Sequence, residues 1–101
     1  MLVIAGRIRI EPDHRERAIS AALEMMEDTR SEPGCLSYTF SADLADPGAF
    51  QIFEEWESQE ALDAHFETPL MAKFRQAMGG FGVREMKLER YEVSSSGPLG
   101  G

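Results

Sequence analysis

His65 is the side chain in this sequence best suited to moving a proton near neutral pH. It lies three residues after Leu62 and directly before Phe66, on or beside the apolar stripe of a short helix. An imidazole ordinarily titrates near pH 6.5, at about the value that suits a general base. One interpretation is therefore a proton acceptor in a cavity. The other is a histidine packed in the core and bonded to a backbone carbonyl, or half-exposed at a helix edge.

Glu54 and Trp56 form a second group of residues that could take part in catalysis or binding. Glu54 stands between Ile52 and Trp56 in an alternating segment, so all three share the apolar face of a strand, together with Tyr38 and Phe40 of a neighbouring segment. A carboxylate on such a face needs a partner or a hydrated cavity, because burying it alone is costly. The aromatic residues are either a core cluster or a flat wall for a planar aromatic ligand.

Composition excludes several other functions. The chain has 101 residues, which suits one domain, and its formal net charge of −8 disfavours contact with nucleic acid or an anionic membrane surface. Its single cysteine and two histidines make a metal centre unexpected. No signal peptide or membrane-spanning run is recognisable, so a cytoplasmic location is expected.

The elements that position these residues follow from hydrophobic spacing. Alternation predicts strands over residues 2–10, 35–41, 50–57 and 81–93, the last with a bulge near Gly82 or Glu85. Helical spacing predicts a helix after Pro12, a short one capped by Ser58, and a further one begun by Thr68 and Pro69. The order βαββαβ indicates an α+β fold of ferredoxin-like architecture over residues 1–93. Residues 94–101 are predicted to form a disordered tail.

The predicted sheet has apolar side chains on both faces, although its helices suffice for only one. Val3, Phe53 and some of Met86 and Leu88 are expected on the uncovered face. Exposed apolar patches of this kind are usually buried by a partner, and two sheets packed face to face in a homodimer is the simplest arrangement.

Several short runs resemble the antibiotic biosynthesis monooxygenase family, and its quinol monooxygenase-like members above all. The resemblance covers about residues 2–92 and is carried by the following segments: Glu32–Tyr38, Asp46–Pro47, Phe53–Ser58, Ala61–Leu62, Ala64–Phe66 and Thr68–Pro69. It implies a dimeric α+β barrel with a pocket between sheet and helices in each subunit. It also implies oxygenation by dioxygen of quinols, phenols or anthrone-like polyketides, without metal, flavin or other cofactor.

Departures from the family pattern narrow the implied chemistry. Quinol-type members commonly have a second histidine where Leu70 stands, and polyketide oxygenases carry asparagine and tyrosine at the positions of Ile52 and Leu62. Haem-degrading relatives use an asparagine near Gly6, which is absent. A quinol or other hydroxylated aromatic is therefore the expected substrate. The alternatives are a non-catalytic dimeric module that binds a small aromatic metabolite, and a haem-degrading relative.

Within that hypothesis each candidate residue has a role. His65 takes the proton, and Glu54 orients the histidine or bonds a substrate hydroxyl. Trp56 forms the stacking wall with two further aromatic residues, and apolar side chains complete the substrate site. These additional lining residues are Tyr38, Phe40, Ile52, Leu62, Leu70, Met71 and Phe74.

Overall fold

A computed structural model describes residues 1–100 as a four-stranded antiparallel sheet with its helices on one face. The elements are β1 (Leu2–Ile10), α1 (Arg15–Thr29), β2 (Cys35–Ala42), β3 (Ala49–Trp56), α2 (Gln59–Phe66), α3 (Pro69–Met78) and β4 (Val83–Glu92). The strands lie in the order β2-β3-β1-β4. This is the ferredoxin-like α+β fold predicted from the sequence. Residues 94–100 contain no helix or strand, and Gly101, the end of the predicted tail, lies outside the described residues.

Two side-chain caps set the break between α2 and α3. The Ser58 hydroxyl accepts a hydrogen bond from the backbone N–H of Ala61, and the Thr68 hydroxyl accepts one from the backbone N–H of Met71. Each cap satisfies a helix N-terminal donor that would otherwise lack a partner. Because α2 ends before Thr68, His65 falls in its last turn and faces the sheet.

Antiparallel register aligns side chains of all four strands in rows on the helix-covered face. One row consists of Tyr38, Glu54, Ile4 and Arg90, contributed by β2, β3, β1 and β4 respectively. The adjacent row consists of Phe40, Ile52, Gly6 and Leu88. The predicted site residues of β2 and β3 therefore lie side by side on one surface.

A bulge shifts the register of β4. Arg9 pairs with Glu85 and Ile10 with Val83, which leaves Arg84 as the additional residue and confirms the expected irregularity. Beyond the bulge, Met86 and Leu88 pair with Ile8 and Gly6 and so lie on the helix-covered face. The expectation that part of this pair points to the opposite face is wrong, because both residues follow the bulge in regular pairing and residues two apart in a strand share a face.

A second register shift lies at the start of β2, between Cys35 and Ser37. Cys35 pairs with Trp56 and Ser37 with Glu55, so Leu36 is an extra residue between them and is 50% exposed. Cys35 instead packs against the core. Strict alternation over this segment predicts that Leu36 shares the face of Tyr38 and Phe40, and the extra residue makes that prediction wrong for Leu36.

The core lies between the sheet and the helices. Leu2, Ile4, Met25, Trp56 and Leu62 form the heart of one cluster, and a second cluster lies against α1 near the other end of the sheet. None of the helices within residues 1–100 is long and apolar enough to cross a bilayer.

Candidate active site

A cavity of about 620 Å³ lies between the helix-covered face of the sheet and helices α2 and α3. Its floor is made of side chains with little solvent exposure, three of which are ionisable. The floor residues are Ile4, Ile8, Tyr38, Phe40, Ile52, Glu54, Leu62, His65 and Phe74. Ligand sites typically measure about 300–1,000 Å³, so the cavity has room for a bicyclic aromatic molecule.

The rim of the cavity is formed by exposed side chains of α2, α3 and β4. These are Gln59, Phe66, Arg75, Met86, Leu88 and Arg90. Every residue of β4 is exposed. The cavity therefore opens along this edge strand, and its polar rim contains two arginines but no carboxylate.

Glu32 holds the His65 ring in a fixed orientation. The His65 side chain is 1% exposed, and its Nδ1 lies 2.9 Å from Oε1 of Glu32. An Nδ1–H donated to that carboxylate leaves Nε2 with its lone pair, and Nε2 makes no hydrogen bond to any other residue of the described chain. Since Glu32 occupies the Nδ1 edge, the opposite edge of the imidazole is the one available to a ligand. This arrangement suits a general base.

Trp56 and Glu54 are joined by a buried hydrogen bond. The indole Nε1–H of Trp56 donates to Oε1 of Glu54 at 2.9 Å. Burial raises the pKa of the Glu54 carboxyl to about 7; the Trp56 bond opposes this shift, and the negative charge of Glu32 adds to it. A carboxyl with this pKa can accept or donate a proton near neutrality, so the cavity floor holds two acid–base groups.

Tyr38 supplies a hydroxyl in a largely apolar setting. Burial, followed by the negative charges of Glu54 and Glu32, raises the pKa of the Tyr38 hydroxyl above its usual range. The hydroxyl therefore remains protonated and can act as a hydrogen-bond donor. Its ring also packs edge-on against the His65 ring, at a centroid distance of 5.6 Å.

Two predicted site residues do not line the cavity. Trp56 is fully buried at 0% exposure and does not border the cavity. Its ring lies 4.9 Å from that of His65, so it supports His65 and Glu54 from behind rather than forming a stacking wall. Leu70 borders a different cavity between α1 and α3, because Met71 and Phe74 occupy the side of α3 that faces the sheet. The other predicted residues all border the main cavity.

Three further residues of the site, Glu32, Arg75 and Arg90, do not follow from the sequence pattern as described above. Glu32 lies 33 positions from His65, and no local spacing links the two. Arg90 had a signal: once the bulge is placed at Arg84, it falls in phase with Met86 and Leu88. No group of three or more His, Cys, Asp or Glu side chains within residues 1–100 is arranged to hold a metal ion.

Comparison with known proteins gives a consistent result. The profile of the family described as "Antibiotic biosynthesis monooxygenase" matches residues 1–77. The Escherichia coli protein named "Probable quinol monooxygenase YgiN" is 31% identical over 98 residues, covering 87% of this chain and 93% of that protein. Protein sll1783 of Synechocystis is 34% identical over 98 residues, covering 97% of this chain and 67% of that protein.

A solved structure from Deinococcus radiodurans, described as a "putative antibiotic biosynthesis monooxygenase", superposes with a TM-score of 0.91. It is 28% identical, and the match covers 100% of both chains. The profile match and the sequence relatives agree with this structural likeness. The chain belongs to the antibiotic biosynthesis monooxygenase family.

Proposed function

We propose that this protein is a cofactor-independent monooxygenase that oxidises a quinol or another hydroxylated aromatic compound. The observation that carries the proposal is the cavity floor, where His65 and Glu54 are the ionisable acid–base pair in a surface otherwise dominated by apolar and aromatic side chains. An electron-rich aromatic ring fits such a surface, and its hydroxyl groups can meet the two polar side chains.

The substrate itself supplies the electrons in this reaction. Deprotonation of one hydroxyl gives a phenolate-like anion, which transfers an electron to dioxygen. The two radicals then combine into a ring peroxide anion, and this anion takes back the proton held by the base to become a hydroperoxide. Loss of water leaves a hydroxyquinone. Overall, a hydroquinone and dioxygen give a hydroxyquinone and water, with one oxygen atom in each product. The protein has to orient the ring, remove the proton and exclude water.

The described residues divide these tasks. Nε2 of His65 accepts the hydroxyl proton, and the Glu32 carboxylate stabilises the imidazolium that results. The carboxyl of Glu54, held by Trp56, bonds the second substrate oxygen, together with the Tyr38 hydroxyl. Ile52, Phe40 and other apolar side chains of the floor contact the ring and keep water from it.

The proposal includes a homodimer formed through the sheet face opposite the helices. Phe53 is 45% exposed and Tyr91 is 49% exposed, and both belong to that face, as does Val3. Burying such side chains against a second sheet removes a large apolar area from water. The cavity lies on the other face, so each subunit would hold its own site.

Oxygen uptake tests the enzyme directly. The protein would be mixed with a panel of naphthohydroquinones and monocyclic hydroquinones in the presence of a metal chelator, and oxygen consumption compared with the autoxidation blank. We expect catalysed uptake that persists under chelation, with a hydroxyquinone as product. Binding without turnover across the whole panel would instead favour the binding module, which the absence of a histidine at Leu70 supports.

A further inference from the structure

The rim of the cavity carries two arginines that the proposed chemistry does not use. Arg75 of α3 and Arg90 of β4 border the same cavity, whose rim has no acidic side chain. The chain as a whole has eighteen Asp and Glu against ten Lys and Arg. Positively charged side chains are therefore the less abundant kind, and two of them on a cavity rim that has no carboxylate need an explanation.

Each of the other six arginines has an ion-pair or hydrogen-bond partner. Arg7, Arg9 and Arg84 form ion pairs with carboxylates. Arg15, Arg17 and Arg30 donate to backbone carbonyls. Arg90, in contrast, makes no hydrogen bond or ion pair within residues 1–100. Its guanidinium keeps all of its donors for a ligand.

Arg75 is held at the rim while most of its donors remain unused. One Nη donates to the backbone oxygen of Phe66, the last residue of α2, at 3.1 Å. This bond anchors the Arg75 side chain beside the cavity. The side chain makes no ion pair within residues 1–100. A guanidinium presents five N–H donors in a planar fork that matches a carboxylate.

The positions of Glu54 on the floor and Arg90 on the rim determine which end of the cavity an anionic group would occupy. Glu54 and Arg90 belong to one row across the sheet, with Ile4 of β1 between them. Neighbouring strands are about 4.8 Å apart, so two strand steps separate the backbone of Glu54 from that of Arg90 by about 10 Å. A ligand carboxylate is repelled by ionised Glu54 and attracted by the rim.

We infer that the cavity selects hydroxylated aromatic acids, with the ligand carboxylate bound by Arg90 and Arg75 at the rim and the ring hydroxyl at His65 and Glu54. The inference rests on the proposed function in taking the bound ring to be hydroxylated. It goes beyond that function by naming the substrate class and two residues that determine specificity.

Binding without oxygen tests this selection separately from turnover. Naphthohydroquinone and its ring-carboxylated counterpart, dihydroxynaphthoic acid, would be titrated into the protein under argon by calorimetry. We expect the carboxylated compound to bind about tenfold tighter or more, because charge-assisted bidentate hydrogen bonds form only with it. The preference should weaken at high salt, since the arginines are exposed. Equal affinities for the two compounds would overturn the inference.

Matched variants identify the groups responsible. Arg90→Gln and Arg75→Gln should each reduce the preference for the carboxylated compound about fivefold or more while leaving the neutral quinol within about twofold. Lys87→Gln is the control, because Lys87 lies on β4 but pairs with Arg7 on the opposite face. Loss of binding for both compounds alike, or variants that behave like the control, would overturn the assignment.

Oxygen uptake with the same two compounds separates the two proposals. Preferential binding of the acid without uptake of oxygen would reject the monooxygenase and support the anion site. Oxidation of both quinols at equal efficiency, without a binding preference, would support the monooxygenase and overturn the anion site.

Discussion

At the scale of single residues, the His65–Glu32 pair is the first feature to test. His65→Ala removes the proposed base, and a general base typically contributes about 10²–10⁴-fold, so turnover should fall by that order. Glu32→Gln keeps a hydrogen-bonding group beside Nδ1 but removes the charge that stabilises the imidazolium. We expect a loss of about 10–100-fold, corresponding to the value of a hydrogen bond to a charged group. Oxygen-electrode rates with a naphthohydroquinone would measure both effects.

The control for this pair is Glu57→Gln. Glu57 borders the same surface groove as Glu32, but the hydrogen bond and ion pair of His65 are made with Glu32 and not with Glu57. It should retain the parent rate, and circular dichroism would establish that all three variants are folded. Full turnover of His65→Ala on every quinol that the parent oxidises would reject the base assignment and leave Glu54 as the next candidate.

Glu54 makes stability depend on pH in a defined window. Its pKa is raised from 4.5 to about 7 by burial, so the folded state binds its proton more tightly than the unfolded state. The stabilisation is complete below the unfolded pKa and is lost as pH rises through the folded pKa. The free energy of unfolding should therefore fall between about pH 4.5 and 7, by an amount on the order of 3 kcal/mol.

Urea unfolding at pH 5 and pH 8 would measure this loss, and Glu54→Gln should flatten it because the amide does not titrate. Trp56→Phe provides a second check. It deletes the indole donor that opposes the shift, so the pKa of Glu54 should rise further and the window should move to higher pH. An identical pH profile for the parent and Glu54→Gln would contradict the assignment.

The residues of this site differ in how far the sequence could reveal them. His65 and Glu54 stood out because an imidazole and a carboxylate interrupt apolar patterns, and both border the cavity. Glu32 could not be found in this way, since its contact with His65 is made by folding and not by spacing. Trp56 was identified as important, but whether a large aromatic faces a cavity or the core depends on packing that the alternation does not encode.

At the scale of elements, helix boundaries were predictable and strand register was less so. Ser58 and Thr68 act as the expected caps because N-cap hydrogen bonds are local. Each bulge, at Leu36 and at Arg84, shifts the residues beyond it by one position. Since the side-chain period of a strand is two, such a shift exchanges the faces. With the extra residue at Arg84, Met86, Leu88 and Arg90 all fall on the helix-covered face, which hydrophobic alternation alone does not decide.

Gly6 makes the pairing of β1 with β4 depend on the absence of a side chain. A Cβ at this position would lie 2.0 Å from the Lys87 carbonyl oxygen and 2.8 Å from Cδ2 of Leu88. Gly6→Ala should therefore displace β4 and destabilise the protein by about 1–3 kcal/mol, as overpacking generally does. Gly97→Ala is the control, because nothing lies within 4 Å of its added Cβ.

Chemical denaturation would measure both glycine variants, and ligand titration would show whether the rim is disturbed. Because Leu88 and Arg90 belong to the strand that must move, Gly6→Ala should also weaken binding of the carboxylated quinol. Stability equal to that of the Gly97→Ala control would show that β4 accommodates the methyl group without strain.

At the scale of the whole molecule, the sheet presents different surfaces on its two sides. One side carries the helices and the cavity. The other carries Phe53 and Tyr91 in an apolar patch beside the ion pairs that Arg7 makes with Asp43 and Asp46. A partner copy that covers the second side leaves the cavity mouth at β4 open. Assembly and ligand binding should therefore be separable.

Phe53→Asp tests that separation. A charge placed in the centre of the proposed interface has no partner there, and burying it is costly, so the variant should be monomeric where the parent is a dimer. Light scattering at micromolar concentration would measure the mass, with Leu99→Asp as the control because Leu99 is fully exposed in the tail. If Phe53→Asp is insoluble, Tyr91→Lys places a charge on the same face.

A monomeric variant should still bind a naphthohydroquinone, since its cavity is built from one chain. A parent protein that is itself monomeric under these conditions would reject the homodimer.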